Sequence, residues 1–395
     1  MEERVPEIRF EGFEGPWAKR ILKEIIREIT RTDSSSDAPV MMISANYGFI
    51  EQADRYAFNN AGDSLNRYIL LQRNELAYNH GASKIRPYGS CFALTTLDSA
   101  RVPFVYHCFS TEVQNAEFLS IELNGHNVES QLRRIVCSSA RMDGLLNISF
   151  EDYSSISVFL PSIEEQNLIA EYISRIDTII TLNQQKLDKL KTFKKSCLEK
   201  MFPKEGETVP EVRFKGFEGP WEKKKLGDVV DITMGQSPDG ETYSDKPNKY
   251  ILIQGNADLK NGWVFPRIWT SQMTKVCKAG DLIMSVRAPA GAMGKTAFNA
   301  VIGRGVAAIK GNEFIFQLLC KLDSEGFWKQ VSTGSTFDSI NTDTINDAEI
   351  LIPVTEEQKI IGKYLFNLDT LITLNQQKLD KLKNLKKALL DKMFV

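Results

Sequence analysis

Gly294-Lys295-Thr296 ends like a phosphate-binding loop. The first glycine of G-x-x-x-x-G-K-[ST] would stand at position 289, which is Pro289, so the cradle of backbone amides is broken. Asp239, after Pro238, together with Asp258-Leu259-Lys260, resembles a nuclease carboxylate pattern. With 51 acidic residues in the chain, such a match arises by chance. Gly235-Gln236-Ser237-Pro238 lacks the G-x-S-x-G form of a nucleophile elbow. His80, His107 and His126 all lie in the first half, with no matching site in the second, and read as polar surface or core residues. There is no Asn/Asp-Pro-Pro-aromatic motif for methylating an amino group and no glycine-rich methyl-donor loop. The six cysteines, Cys91, Cys108, Cys137, Cys197, Cys277 and Cys320, are scattered without a C-x-x-C pair, which indicates neither zinc nor a disulfide framework. The expectation is therefore a chain with no catalytic residues, no metal and no cofactor of its own, in a reduced cytoplasm.

What remains to explain is organisation. The 395 residues suit two or three domains with sizeable cores. Net charge is −2, unlike a strongly basic nucleic-acid binder. The N-terminus has no basic-then-apolar signal pattern, and no apolar run approaches the ~18 residues of a membrane span. Charge is uneven, however. Residues 186–200 contain six Lys against Asp188 and Glu199, and residues 378–392 six Lys against Asp380 and Asp391. Such runs read as a solvated helical face, or as a surface for a partner or a nucleic-acid backbone.

Those runs belong to a repeat. TLNQQKLDKLK occurs at 181–191 and again at 373–383, an offset of 373 − 181 = 192. Around it, Ile169, Ile173, Ile176, Ile180, Asn183, Leu187, Leu190, Lys194, Cys197 and Met201 alternate steps of four and three. The second copy gives Ile361, Leu365, Leu368, Ile372, Asn375, Leu379, Leu382, Lys386, Leu389 and Met393. Each series is an a/d helical seam. Ser162 before Glu165, and Thr355 before Gln358, are start signals. At ~1.5 Å per residue the seam of about 32 residues is roughly 48 Å long, and one apolar stripe of that length needs a partner. The other copy is the nearest candidate. The predicted helix–helix interface is Ile173, Ile176, Ile180, Asn183, Leu187 and Leu190 with Leu365, Leu368, Ile372, Asn375, Leu379 and Leu382. Asn183 and Asn375 read either as register-fixing residues or as solvated points in the seam.

A second repeat opens each half: PEIRFEGFEGPW at 6–17 and PEVRFKGFEGPW at 210–221. Its glycines and proline suggest a compact turn pinned by Trp17 or Trp221. The segments between the repeated blocks barely resemble each other, and both read as mixed α and β. The first is expected to begin with an amphipathic helix from Ile21 to Ile29, followed by strands at Val40–Ile43, Tyr68–Leu71 and Val102–Tyr106. The second is expected to hold strands at Tyr250–Gln254, Asp281–Val286 and Gly305–Ile309, then a helix at Phe314–Asp323. Two similar frames with different interiors suit two modules with one job and two targets.

PEIRFEGFEGPW and PEVRFKGFEGPW, the helix entries LPSIEEQNLIAEYISRIDTII and IPVTEEQKIIGKYLFNLDTLI, and the repeated TLNQQKLDKLK resemble the specificity subunit of type I restriction–modification enzymes. GDLIMSVRAPAG (280–291) and IGRGVAAI (302–309) resemble one type of target-recognition domain, and ISANYGFIEQ (43–52) and AYNHGAS (77–83) another. The resemblance implies an α+β fold: two globular mixed α/β target-recognition domains separated by two long helices in an antiparallel coiled coil, with pseudo-twofold symmetry. The domains would be 1–160 and 210–352, the spacer helices 161–202 and 353–395, and the linker 203–209. Each domain would read half of a split double-stranded DNA target. Two methyltransferase subunits would bring S-adenosylmethionine, and restriction/translocase subunits would bring ATP and Mg. This chain would choose the address and perform no bond chemistry.

Arg suits guanine, and Asn or Gln suits adenine, by bidentate geometry. Side chains beside Gly or Pro turns can project, which selects Arg287, Arg304 and the polar loop with Thr333, Ser335 and Thr336 in the second segment. Tyr47, Asn79, Lys84, Arg86 and Arg141 are the choices in the first. For each, a phosphate contact or a plain surface charge is the competing reading. Two other functions fit the chain: a pseudo-symmetric coiled-coil adaptor without DNA recognition, and an enzyme using Asp239, Asp258 and Lys260.

Overall fold

A computed structural model describes residues 4–52, 62–136, 146–331 and 339–395. The protein is mixed α and β and divides into two compact units. Unit 1 is Met1–Thr181 with Asp380–Val395, and unit 2 is Leu182–Leu379. Two long helices, Ile163–Lys200 and Thr355–Met393, carry the repeated seam. Ile173, Ile176, Leu187, Leu365, Leu368 and Leu379 are buried along it, while Lys186, Lys189 and Lys378 beside them are exposed.

In unit 1, strand Ala18–Ile21 pairs antiparallel with Ser157–Leu160, which runs through Pro161 into the first long helix. A four-stranded sheet has the order Ile26–Glu28, His107–Thr111, Leu76–Asn79 and Ser90–Ala93. Two further antiparallel pairs, Met41–Ser44 with Gly48–Glu51 and Ile69–Gln72 with Ser99–Val102, close a second small core. Helix Ala116–Leu123 is capped by Asn115, whose side chain accepts from the Phe118 amide.

Two expectations need correction here. Residues 21–29 are not a helix: Ala18–Ile21 and Ile26–Glu28 are separate strands flanking a 3₁₀ turn at Leu22–Glu24. Ile21, Ile25, Ile26 and Ile29 recur at helical spacing, but they are β-branched, and each strand has a distant partner to pair with. The Val102–Tyr106 strand also fails. Pro103 ends the pairing, and the Tyr106 amide turns back onto the Pro103 carbonyl at 3.0 Å.

Unit 2 repeats the frame but not the interior. Strand Glu222–Lys225 pairs antiparallel with Glu349–Ile352, which runs into the second long helix. Between them lie a six-stranded sheet, ordered Asp231–Met234, Val306–Lys310, Leu282–Ser285, Met293–Lys295, Trp263–Val264 and Leu259–Lys260, and a five-stranded sheet around Tyr250–Ile253. Leu282–Ser285 is buried at every position, and its first three residues are a continuous apolar run. Helix Glu313–Ser324 supplies Phe314, Ile315 and Leu319 to the core.

The duplicated residues make duplicated contacts. In unit 1, Arg9 forks onto Glu165 in the first turn of the long helix, at 2.7 Å through both nitrogens, and also donates to the Gly15 carbonyl. In unit 2, Arg213 does the same with Glu357, at 2.7 and 2.8 Å, and with Gly219. Trp17 packs edge-on against Phe118 and Phe394, and Trp221 against Phe314 and Phe202. The Ile8 amide donates to Lys392 and the Val212 amide to Lys200, at 3.0 and 2.9 Å.

Candidate nucleic-acid interface

The second-segment candidates sit at one end of the six-stranded sheet. Arg304 lies between Gly303 and Gly305, just before strand Val306–Lys310, and its side chain is exposed. A Cβ on Gly305 would overlap the Gln254 carbonyl oxygen, so the turn closes only on glycine. The Arg304 amide donates to Ser237 Oγ at 3.1 Å. Arg287 follows strand Leu282–Ser285, is exposed, and forms an isolated antiparallel bridge with Ser339. Ser285 Oγ donates to the Arg287 carbonyl at 3.1 Å, which holds its backbone. Among the described residues neither guanidinium has a hydrogen-bond or ion-pair partner, whereas Arg213 and Arg267 of the same unit are paired with Glu357 and Asp258. Thr333, Ser335 and Thr336 lie outside the described residues, as does Arg141 in unit 1.

In unit 1, Tyr47 occupies the turn between Met41–Ser44 and Gly48–Glu51 and is 80% exposed. Lys84 is exposed in a turn closed by Ser83 and Arg86, whose backbones bond at 3.0 Å. The other two candidates face inward. Asn79 accepts from the Gly81 amide at 2.9 Å and reaches the Ile43 carbonyl at 3.3 Å. Arg86 donates to the Asn124 carbonyl at 2.7 Å, at the end of helix Ala116–Leu123. Their polar groups therefore brace the loops that carry their exposed neighbours. Tyr47 and Arg86 line one cleft of about 1050 Å³, together with Ile85, Phe92, His126 and Lys387.

The residues weighed for catalysis are committed elsewhere. The Asp258 carboxylate is buried, paired with Arg267 at 2.9 Å, and accepts from the Gln254 amide at 2.7 Å. The Asp239 side chain accepts from the Glu241 amide. Lys295 ends a strand, bonds Glu313 at 2.9 Å and lies over the rings of Trp263, Phe316 and Phe366. The ring nitrogens of His80 lie 2.8 and 2.7 Å from the carbonyls of Leu146 and Val105, and His107 meets the Ile148 carbonyl at 3.0 Å. Burial holds the His107 imidazole below its ordinary value. Among the described residues no group of His, Cys, Asp and Glu could hold a metal ion.

The long helices add three features that the spacing alone did not reveal. Lys386 Nζ donates to both Asp177 oxygens in unit 1, at 2.5 and 2.7 Å, and Lys194 Nζ donates to Asp369 in unit 2 at 2.5 Å. Asn375 is buried and donates to the Leu371 carbonyl of its own helix at 2.7 Å. Each helix also exposes a second apolar series at matching positions: Leu168, Ile179, Leu182 and Phe193 on the first, and Ile360, Leu371, Leu374 and Leu385 on the second. Both the Arg–Glu clasps and this series were visible as paired residues in the repeats, but single-seam periodicity did not single them out.

Residues 218–384 match the model of the type I restriction modification DNA specificity domain. The chain is 30% identical over 248 residues to a putative type I restriction enzyme MjaX specificity subunit of Methanocaldococcus jannaschii, covering 60% of this chain and 58% of that protein. It is 25% identical over 280 residues to the type I restriction enzyme MjaVIII specificity subunit of the same organism, covering 64% and 65%. The chain thus spans less than two thirds of the length of these curated relatives. In fold it is similar to the type I restriction-modification system S subunit from M. genitalium, with TM-score 0.66, 13% identity and 99% coverage of both chains. It is also similar to a chain solved in work on the assembly and conformational transition of the type I R-M system, with TM-score 0.53, 23% identity and coverage of 96% and 97%. Residues 218–384 are thus similar to the DNA specificity domain of type I restriction–modification systems, and somewhat under two thirds of the chain is similar to specificity subunits of such systems.

Proposed function

We propose that this chain is the DNA sequence-specificity subunit of a type I restriction–modification complex, in which each unit reads one half of a bipartite target. The observation that carries this is one frame with two interiors. The Arg9–Glu165 and Arg213–Glu357 clasps are superimposable in their bonding, while the sheets they enclose differ in strand number and order. A duplicated mount with unlike contents is what two readers of different half-sites require.

In this reading the two long helices form an antiparallel coiled coil with pseudo-twofold symmetry and act as the spacer. The Lys386–Asp177 and Lys194–Asp369 bonds support that direction, since each joins the C-terminal half of one helix to the N-terminal half of the other. A seam of roughly 48 Å corresponds to about 14 base pairs at ~3.4 Å each. The exposed second apolar series would take helices of two methyltransferase subunits. Those partners would supply S-adenosylmethionine and the catalytic residues, and restriction subunits would supply ATP-driven translocation with Mg. The chain itself would be non-catalytic and would work in the cytoplasm. Near-neutral charge is compatible with this role when partners provide much of the phosphate affinity and this chain the base contacts.

The test is to map methylated adenines in a host that expresses the chain with a type I methyltransferase subunit. A split motif with a constant gap is expected. An adaptor without DNA recognition would produce no motif dependent on this chain, and the named relatives do not favour that alternative.

A further inference from the structure

We infer that Gln236, Arg304 and Arg287 form a single base-reading row at the end of the six-stranded sheet of unit 2, a deepening that rests on the specificity-subunit reading. Asp231–Met234, Val306–Lys310 and Leu282–Ser285 are adjacent strands in that sheet. Beyond their ends the pairing continues. The Gly235 amide donates to Val306 at 3.0 Å, and the Val286 amide donates to Gly305 at 2.9 Å. The next residues out, Gln236, Arg304 and Arg287, therefore come from three neighbouring chain segments, and all three side chains are exposed.

Their backbones are fixed to an unusual degree for loop residues. The Gln236 amide donates to Ile302 at 2.8 Å, Thr274 Oγ1 donates to the Gln236 carbonyl at 2.6 Å, and Ser237 Oγ accepts from the Arg304 amide. A Cβ on Gly235 would overlap the Gly303 carbonyl oxygen, so glycine lets the two loops touch backbone to backbone. Their side chains, by contrast, are unspent. Among the described residues the Gln236 carboxamide and both guanidiniums have no hydrogen-bond or ion-pair partner. Both guanidiniums are exposed cations beyond the ends of adjacent strands, open to acceptors on a ligand. Guanine O6 and N7 are such acceptors for arginine, and adenine N6 and N7 match the carboxamide of glutamine. The three strands that lead to these residues are spaced at ~4.8 Å, so their ends span about 10 Å, the rise of roughly three base pairs. The row thus fits a short purine-containing half-site in the major groove, and it gives a role to the Gly235–Pro238 stretch that nucleophile chemistry could not.

The test selects random-sequence duplexes with the full chain and a type I methyltransferase subunit, for the parent and for Gln236→Ala, Arg304→Lys, Arg304→Ala and Arg287→Ala. The parent should select a bipartite motif. Each variant should lose roughly tenfold or more of its discrimination at one or two positions, all within about three adjacent base pairs of one half-site. The other half-site and the gap should be unchanged. Arg304→Lys keeps the charge and should still lose the guanine preference, since lysine lacks the planar fork. Thermal unfolding should stay close to the parent value, because these side chains are exposed. An unaltered motif, or an equal loss on every sequence, would overturn the row while leaving the specificity-subunit reading intact. If the parent selects no bipartite motif, both fall.

Discussion

Arg9 holds the carboxylate of Glu165 through two parallel hydrogen bonds of 2.7 Å, and the Glu165 side chain has no exposed surface. The pair joins the segment before the first strand to the opening turn of the long helix. Removing Arg9 leaves a buried carboxylate without its counter-charge. Arg9→Ala should cost about 3 kcal/mol or more, whereas Arg9→Leu with Glu165→Leu should cost less than either single change. Chemical denaturation of the full chain measures both. A strictly additive double variant would show that the two residues are not coupled.

Glu122 predicts a pH dependence of stability. It is buried on helix Ala116–Leu123, accepts from the Phe159 amide at 3.1 Å, and burial raises its carboxyl from 4.5 to about 7. The folded state keeps a proton that the unfolded state releases above 4.5. The stability linked to Glu122 is therefore complete below pH 4.5 and is lost as pH rises towards 7. Glu122→Gln keeps the acceptor and cannot ionise. It should match the parent near pH 4 and exceed it at pH 8 by about 3 kcal/mol. His107 penalises both proteins alike on the acid side, so the difference between their urea midpoints isolates Glu122.

Leu182 and Leu374 are 58% and 56% exposed at equivalent positions of the two helices. Leu182→Glu and Leu374→Glu should leave the melting temperature of the chain within a few degrees of the parent, as exposed sites do when ΔΔG stays within about 0.5 kcal/mol. Each should remove one methyltransferase subunit from the complex, and the double variant both. Sedimentation of the reconstituted mixture reads the stoichiometry directly, and full assembly by the double variant would refute docking on this series.

Tyr47 tests the first half-site. Its ring is exposed at a hairpin turn and lines the unit 1 cleft. Tyr47→Ala should weaken discrimination in one half of the target, the half that Arg287→Ala leaves untouched. Methylation mapping with both variants checks this, and identical changes from the two would show that they do not serve separate halves.

The long helices were legible because an eleven-residue identity and a seam of alternating steps leave little choice of structure. The interiors were less so. Ile21 to Ile29 has helical spacing, yet its strands are decided by partners at Ser157 and Phe109, more than eighty residues away. Among the candidate base readers, residue type alone did not separate Arg304 from Arg86. Both are arginines near turns, but one projects from a glycine knot and the other is spent on the Asn124 carbonyl. Whether a polar side chain meets its own backbone depends on contacts across the fold, and local sequence does not encode them.

Met393 and Phe394 fill unit 1 beneath Trp17, as Met201 and Phe202 fill unit 2 beneath Trp221. On the ribosome this reverses the expected order of events. The module translated first waits for residues near position 394 before its interior can close, while its successor has all it needs some fifteen residues earlier, once Leu379 is made. The early module therefore depends for its core on a segment translated after the whole of its neighbour, and damage at Met393 or Phe394 would open the interior beneath Trp17 rather than anything in the second module.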